Sequence, residues 1–222
     1  MTSLSTAEEN YLKAIYHLAG DNNEHVTTNG LSDYVKTKPA TVSDMLKKLS
    51  KKKMINYQKY KGFHLSEYGI SAALKTIRKQ RLWEVFLVEK LDFHWDEVHE
   101  VAEQLEHVKS PMLVDRLDDF LKQPRVDPHG DPIPDKHGEF HIGPQVCLGI
   151  MKAGEIGVIS NVVGDDPKLL KYLDRLKVRL GLKIKIKEKV DFDESMILDT
   201  EDHKELYFSK RTAQHLMITK FD

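Results

Sequence analysis

Residues 28–65 read TNGLSDYVKTKPATVSDMLKKLSKKKMINYQKYKGFHL, and the order of apolar spacings within them decides the fold. Leu31, Tyr34 and Val35 lie at helical spacing in a short segment of about 28–36, which Lys38-Pro39 interrupts. A further helix of about 39–53 follows, with Val42, Met45, Leu46 and Leu49 on one stripe. Met54–Tyr57 and Gly62–Leu65 then read as two short strands joined by a lysine-bearing KYKG turn. Upstream, TAEENYLKAIYHLA at 6–19 places Tyr11, Leu12, Ile15, Tyr16 and Leu18 at helical spacing behind Ser5 or Thr6 as a cap. Helix, helix, turn, helix and basic hairpin, in that order, describe a winged helix-turn-helix over residues 1–70.

The next module, 71–123, is helical. Residues 68–90, 95–108 and 110–122 carry amphipathic patterns, and Leu82, Trp83, Phe86 and Leu87 exceed what a small core needs, so a homodimer interface is expected. Residues 124–144 are expected to be a Pro-rich linker, since 123–144 holds five of the eight prolines. From 145 to 222, Glu155–Val163, Leu182–Val190 and two segments within 195–208 read as strands, with a short helix at Pro167–Leu176. In the second strand Leu182, Ile184 and Ile186 alternate with Lys183, Lys185 and Lys187, the period of a half-exposed strand. The expected architecture is mainly α with small β, closed by an SH3-like barrel.

Composition narrows the function classes. Cys147 is the only cysteine of the 222 residues, which excludes an internal disulfide framework and CxxC-type zinc sites. No run approaches the roughly 18 apolar residues of a membrane span. The opening MTSLSTAEENYLKAI has neither a basic nor an apolar leader region, so a cytoplasmic location is expected.

The net charge of -1 hides a segregation of sign. Nine lysines and one acid, Asp44, lie between Lys36 and Lys61, whereas Glu97 to His107 holds four glutamates and two histidines with no Lys or Arg. The basic run suits a polyanion and the acidic-imidazole run a cation. On a recognition helix starting Lys38-Pro39-Ala40-Thr41, the small residues permit close approach to base edges. Thr41 and Ser43 can donate hydrogen bonds there, and Asp44 shares the same first turns. Lys47, Lys48 and Lys51, with Lys59 and Lys61 in the wing, suit phosphates.

On a helix, His99, Glu103, Glu106 and His107 fall within an arc of about 100°. Carboxylates with imidazoles and no thiolate suit Mn(II) or Fe(II), with Zn(II) able to compete in vitro. His99-Glu100-x-x-Glu103 resembles the start of a zincin HExxH motif, but a glutamate stands where the second histidine belongs. A metal-dependent hydrolase is therefore an alternative, as is a winged-helix regulator sensing a non-metal ligand. His129, His137 and His141 carry no assigned role.

Taken together the chain resembles the diphtheria-toxin-repressor family of iron- and manganese-dependent transcriptional repressors. The resemblance rests on TAEENYLKAIY at 6–16, Ala40-Thr41-Val42-Ser43, Arg81-Leu82-Trp83-Glu84, Val98-His99, Glu106-His107 and DPHGDPIP at 127–134. It implies a repressor of metal-uptake genes that binds a palindromic operator as a homodimer, with a C-terminal FeoA-like domain. It further implies a primary metal site of Asn10, Glu103, Glu106 and His107, and an ancillary site of Gln80, Glu84 and His99. Glu103 matches the manganese-responsive branch. Asn10 and Gln80 depart from the family pattern, which has Asp or Met at the first position and His at the second. The Glu-x-x-Gln pair of the family's third domain has no counterpart, the best match being Ser160 and Val163.

Overall fold

The computed structural model describes residues 3–20, 22–58, 60–164, 166–201 and 205–221. The chain divides into two compact units, one of Met1–Gln80, Leu105–Ser110 and Pro134–Glu139, the other of Arg81–Gln104, Pro111–Ile133 and Phe140–Asp222.

The first unit opens with α1 (Thr6–Ala19), started by a capping box: the Ser5 hydroxyl accepts from Glu8 N–H at 3.3 Å and Glu8 Oε2 accepts from Ser5 N–H at 2.8 Å. The second helix, α2 (Thr28–Tyr34), is capped by Thr27, and α3 (Pro39–Lys51) begins at the proline that broke the pattern. Strands β1 (Ile55–Gln58) and β2 (Gly62–Leu65) pair antiparallel with Ile55 opposite Leu65. Leu12, Ile15, Leu31, Val42, Leu46, Leu49, Phe63 and Leu65 form the shared core. Val26 bridges to Phe63, which brings its carbonyl to 2.3 Å from where a Cβ on Gly62 would stand. With φ at +109°, that position admits only glycine. The winged helix-turn-helix order expected from the sequence is present.

The long helix α4 (Glu67–Leu91) follows, then α5 (Val98–Leu105) and α6 (Pro111–Phe120). The helix expected over 95–108 is shorter at both ends, because Glu97 N–H closes a turn onto His94 O and Val108 N–H one onto Leu105 O. In the second unit, Leu82, Val85, Val114, Leu117, Leu121 and Ile133 pack together.

A second core lies under a six-stranded antiparallel sheet of order β3-β8-β4-β5-β6-β7. Its strands are β3 (Val146–Cys147), β4 (Ile156–Val162), β5 (Lys183–Lys189), β6 (Met196–Thr200), β7 (Glu205–Phe208) and β8 (Leu216–Lys220). Ile184 and Ile186 point into the core and the lysines between them outward, as the alternation requires. Helices α7 (Pro167–Arg175) and α8 (Lys210–Gln214) complete this part. The sequence reading missed β3 and β8. Leu216-Met217-Ile218-Thr219 is the strand that joins β3 to β4, and so completes the sheet.

Residues 124–144 are irregular, as expected, but they are no free linker. Asp127, His129 and Ile133 are buried, and the Asp127 carboxylate accepts from the N–H groups of His129 and Asp131 at 2.8 and 3.0 Å. Among the described residues, no helix is long and apolar enough to cross a membrane.

Glu8, besides capping α1, receives the Lys52 ammonium at 2.7 Å. Burial pushes its carboxyl up, but the Lys52 and Ser5 hydrogen bonds outweigh this and hold the pKa below the usual carboxylate range. A depressed folded-state pKa contributes stability above the unfolded pKa of about 4.3, lost as pH falls through the folded value. Glu8→Gln is expected to lower stability by about 1–2 kcal/mol at pH 7 in urea unfolding. The gap to wild type should close as pH falls below about 4.

Candidate metal centre and nucleic-acid surface

The nucleic-acid surface is α3 with the β1–β2 hairpin. Lys38, Pro39, Ala40, Thr41, Asp44, Lys47, Lys48, Lys51 and Lys61 are exposed; Lys59 lies outside the described residues. Ser43 is half-buried and its hydroxyl donates to Pro39 O at 2.9 Å, helix-start chemistry that competes with a role in base contact. Lys38, the N-cap, supplies no side-chain hydrogen bond, so the first-turn N–H groups of α3 face outward without a side-chain cap. Lys47 pairs with Asp44 at 3.0 Å, but both side chains are 71% exposed, a pairing worth too little to withhold the ammonium from a phosphate. Lys52, in the same basic run, is held by Glu8 and by Ser3 O at 3.2 Å. The basic stretch therefore contains two kinds of lysine, one open to a polyanion and one committed to the fold.

The residues expected to hold metal fall into two clusters. In the first unit Glu106 is fully buried, and both its oxygens accept from Lys13 Nζ at 2.9 Å. The same ammonium donates to Gln80 Oε1 at 3.0 Å. His107 Nδ1 lies 2.6 Å from Glu9 Oε2, its Nε2 lies 3.5 Å from Glu106 Oε1, and Lys79 approaches Glu9 at 3.9 Å. Burial lowers the Lys79 pKa against the pull of Glu9 and Glu106. Asn10 is exposed and its side chain takes part in none of these contacts. Two carboxylates here face two ammonium groups, so the cluster is balanced by its own side chains.

The second unit differs. Glu84, Asp127 and His129 are 2%, 4% and 5% exposed, and one ligand atom from each lies within 4.8 Å of the others. His99 Nδ1 approaches Glu84 Oε1 at 3.3 Å, and its Nε2 approaches Glu103 Oε1 at 3.5 Å. Since Trp95 O can only accept, His129 donates to it from Nε2, at 2.7 Å. In the neutral ring this makes Nδ1, 3.9 Å from Asp127 Oδ1, the nitrogen that can act as a ligand. The His129 ring also stacks on Trp95 at 5.9 Å.

Burial first, then the charges of Asp131 and Glu84, push the Asp127 carboxyl well above the usual range, against Arg81. Arg81 stands 3.8 Å from Asp127 and 3.6 Å from Asp131. Two buried carboxylates and an oriented imidazole, with no thiolate, fit a divalent cation. Asp127 and His129 had no assigned role in the sequence. The signal was present in the DPHGD motif, but nothing local connects it to Glu84. His94, Asp96 and Asp174 also converge, but His94 is largely exposed and Lys171 sits 3.3 Å from Asp96.

A winged helix carrying an open basic face, in a chain that also buries a carboxylate–imidazole cluster, defines a metal-responsive DNA-binding regulator. The sequence matches three families in succession: iron dependent repressor, N-terminal DNA binding domain, over residues 3–63; iron dependent repressor, metal binding and dimerisation domain, over 66–135; and the FeoA domain over 146–220. The chain belongs to the iron-dependent repressor family, and is a metal-dependent transcriptional repressor.

Among curated relatives, an uncharacterized HTH-type transcriptional regulator of Methanocaldococcus jannaschii is 35% identical over 120 residues, 54% of this chain and 96% of that one. Iron-dependent repressor IdeR of Mycobacterium tuberculosis is 30% identical over 145 residues, 65% of this chain and 62% of its own length. Among solved structures, a manganese-dependent transcriptional repressor in complex with manganese superposes with a TM-score of 0.87 at 29% identity, covering 96% of this chain and all of that one. ScaR with bound Zn2+ does so at 0.78 and 32% identity, covering 96% and 99%. Membership in a family of transcriptional repressors sets aside the hydrolase alternative.

The two kinds of lysine are distinguishable by salt dependence. Lys47→Ala is expected to reduce the slope of log K against log salt for DNA binding by about one, because one phosphate contact is lost. Lys52→Ala is expected to leave the slope unchanged and lower the melting temperature instead. Equal slopes for both variants would remove Lys47 from the interface.

Proposed function

We propose that this chain is a cytoplasmic repressor of metal-uptake genes, activated by Mn(II) or Fe(II) bound at Glu84, Asp127 and His129, with His99 beside them. The observation that supports this most directly is the buried convergence of two carboxylates and an imidazole, one ligand atom from each lying within 4.8 Å of the others. Oxygen and nitrogen donors without thiolate suit Mn(II) or Fe(II), and Zn(II) would compete by raw affinity. The manganese and zinc complexes of the similar repressors agree with that choice of ions.

The ion would supply positive charge directly between Glu84 and Asp127. The chain's own residues do the rest. The Trp95 carbonyl holds the His129 ring, and the His129 and Asp131 N–H groups hold Asp127. Asp131 accepts from Asn161 at 2.7 Å and His129 O from Val162 N–H at 2.8 Å, so the ligand loop is fastened to β4. Metal favours the DNA-binding conformer only through a higher affinity for it, and DNA must in turn tighten metal binding. As a homodimer the protein would present two α3 helices to palindromic half-sites about 34 Å apart. Thr41 and Ala40 would face base edges, with Lys47, Lys48, Lys51 and Lys61 on phosphates.

The test is a mobility-shift titration of Mn(II) on DNA fragments selected from a random pool by the manganese-loaded protein. Wild type is expected to require Mn(II), whereas His129→Ala should lose the manganese-dependent shift while remaining folded. DNA binding by wild type that ignores metal would favour the non-metal alternative. A His129→Ala titration matching wild type would dismiss this ligand set. Because the Asp127 pKa is raised and a cation competes with its proton, Mn(II) affinity is expected to rise with pH. Calorimetry in buffers of different ionisation enthalpy would register the released proton, and equal heats in all of them would contradict it.

A further inference from the structure

The position that the family resemblance gives to a primary activating ion, among Asn10, Glu103, Glu106 and His107, does not have the character of an empty cation site. We infer that Lys13 is the resident cation of this cluster: its ammonium takes the place of a metal ion and joins α1 to the 105–110 segment whether or not metal is present. The metal response then resides in the Glu84–Asp127–His129 cluster alone, and in that clause the inference rests on the proposed function.

The geometry carries the argument. An ammonium has three N–H donors and no lone pair. Lys13 Nζ directs them at Glu106 Oε1, Glu106 Oε2 and Gln80 Oε1, at 2.9, 2.9 and 3.0 Å. The Lys13 side chain is 11% exposed and that of Glu106 is 0%, so the pair is well removed from solvent. The amide of Gln80, which departs from the histidine expected there, turns its oxygen to the ammonium as a neutral acceptor should.

His107 Nδ1 is engaged by Glu9, Asn10 is exposed, and Glu103 pairs with His99 in the second unit. A divalent ion at Glu106 would have to expel a buried ammonium from three hydrogen bonds and enter beside Lys79. The two departures from the family pattern, Asn10 and Gln80, thus have one cause: neither is required to ligate a metal once Lys13 supplies the charge.

The sign of a charge-neutralising substitution in metal-free protein separates the two possibilities. An empty metal site is a set of like charges held together, so removing one relieves repulsion and raises stability. A carboxylate already paired with an ammonium behaves oppositely, because its loss strands a buried cation. Glu106→Gln, melted as the full chain in EDTA, is expected to lower the melting temperature by roughly 5–15 °C. An unchanged or raised melting temperature would overturn the assignment.

Mn(II) bound per chain, counted by loss of the free-ion paramagnetic resonance signal, gives a second readout. Wild type, Glu106→Gln and the charge-balanced Lys13→Met/Glu106→Gln variant are expected to bind the same number of ions with affinities within about twofold. His129→Ala is expected to lose one. Loss of an ion in either Glu106 variant overturns the inference. An ion retained in His129→Ala, with both Glu106 variants unchanged, instead refutes the metal site of the proposed function and leaves the Lys13 assignment standing.

Discussion

A carboxylate taken out of water must be answered by a positive charge or by a proton, and much of this molecule follows from how that demand is met in two places. Glu106 is completely buried and Glu84 and Asp127 nearly so. An isolated ionised carboxylate could not remain charged at such positions. In the first unit the answer is covalent: Lys13 is part of the chain and always present. In the second unit the Arg81 guanidinium stands near Asp127 and Asp131, while burial and the neighbouring acids push the Asp127 carboxyl toward its protonated form. A carboxyl pushed toward its protonated form is one at which an ion can replace the proton, and on the proposed function that exchange would make the second cluster a sensor and the first a fixed fastening.

The local backbone shows the same preparation. Asp127 is clamped by two N–H groups of its own turn, and the turn is possible because Gly130 adopts φ +91° with Ser160 O 2.1 Å from where its Cβ would stand. The ligand loop is thus pressed against β4, and Asn161 reaches back to Asp131. Orientation of His129 by the Trp95 carbonyl and by ring stacking is second-layer support of the kind that sets ligand basicity. Little rearrangement is needed for a cation to be held, so its binding energy remains available to bias the DNA-binding conformer.

Much of this was legible in the sequence wherever the signal was periodic. The three helices and hairpin of the first unit, the alternation of β5 and the polarity of α3 follow from apolar spacing, since local pattern and tertiary core agree there. The miscounts arose where they do not. β8 was missed because a five-residue strand carries too short a period to separate from a loop. The 95–108 helix lost its ends because Trp95 and Asp96 face other partners: Trp95 Nε1 donates to Asp174 at 3.1 Å, and Lys171 stands 3.3 Å from Asp96. The proline-rich segment read as a linker from its composition, yet its prolines stiffen a loop that buries an aspartate and a histidine.

The sites were harder to read for a related reason. Sequence spacing can place His99, Glu103, Glu106 and His107 on one helical arc, but it cannot say what opposes that arc. Lys13 and Glu106 are separated by 93 positions, and a lysine in an amphipathic first helix carries no mark that it will turn inward. The same limit applies to the basic run of 36–61. Its lysines look alike in composition, yet Lys52 is bound to Glu8 while Lys47 and Lys51 remain on the surface. Lys13 and Lys52 both answer acids within the first unit, and both are thereby withdrawn from any charge the molecule offers to a polyanion or competes with against a metal. Counting charges along the chain overstates both functions. The electrostatics that matter are those left over after the buried acids have taken their partners, and they include a lysine face on α3 and the buried meeting of Glu84, Asp127 and His129.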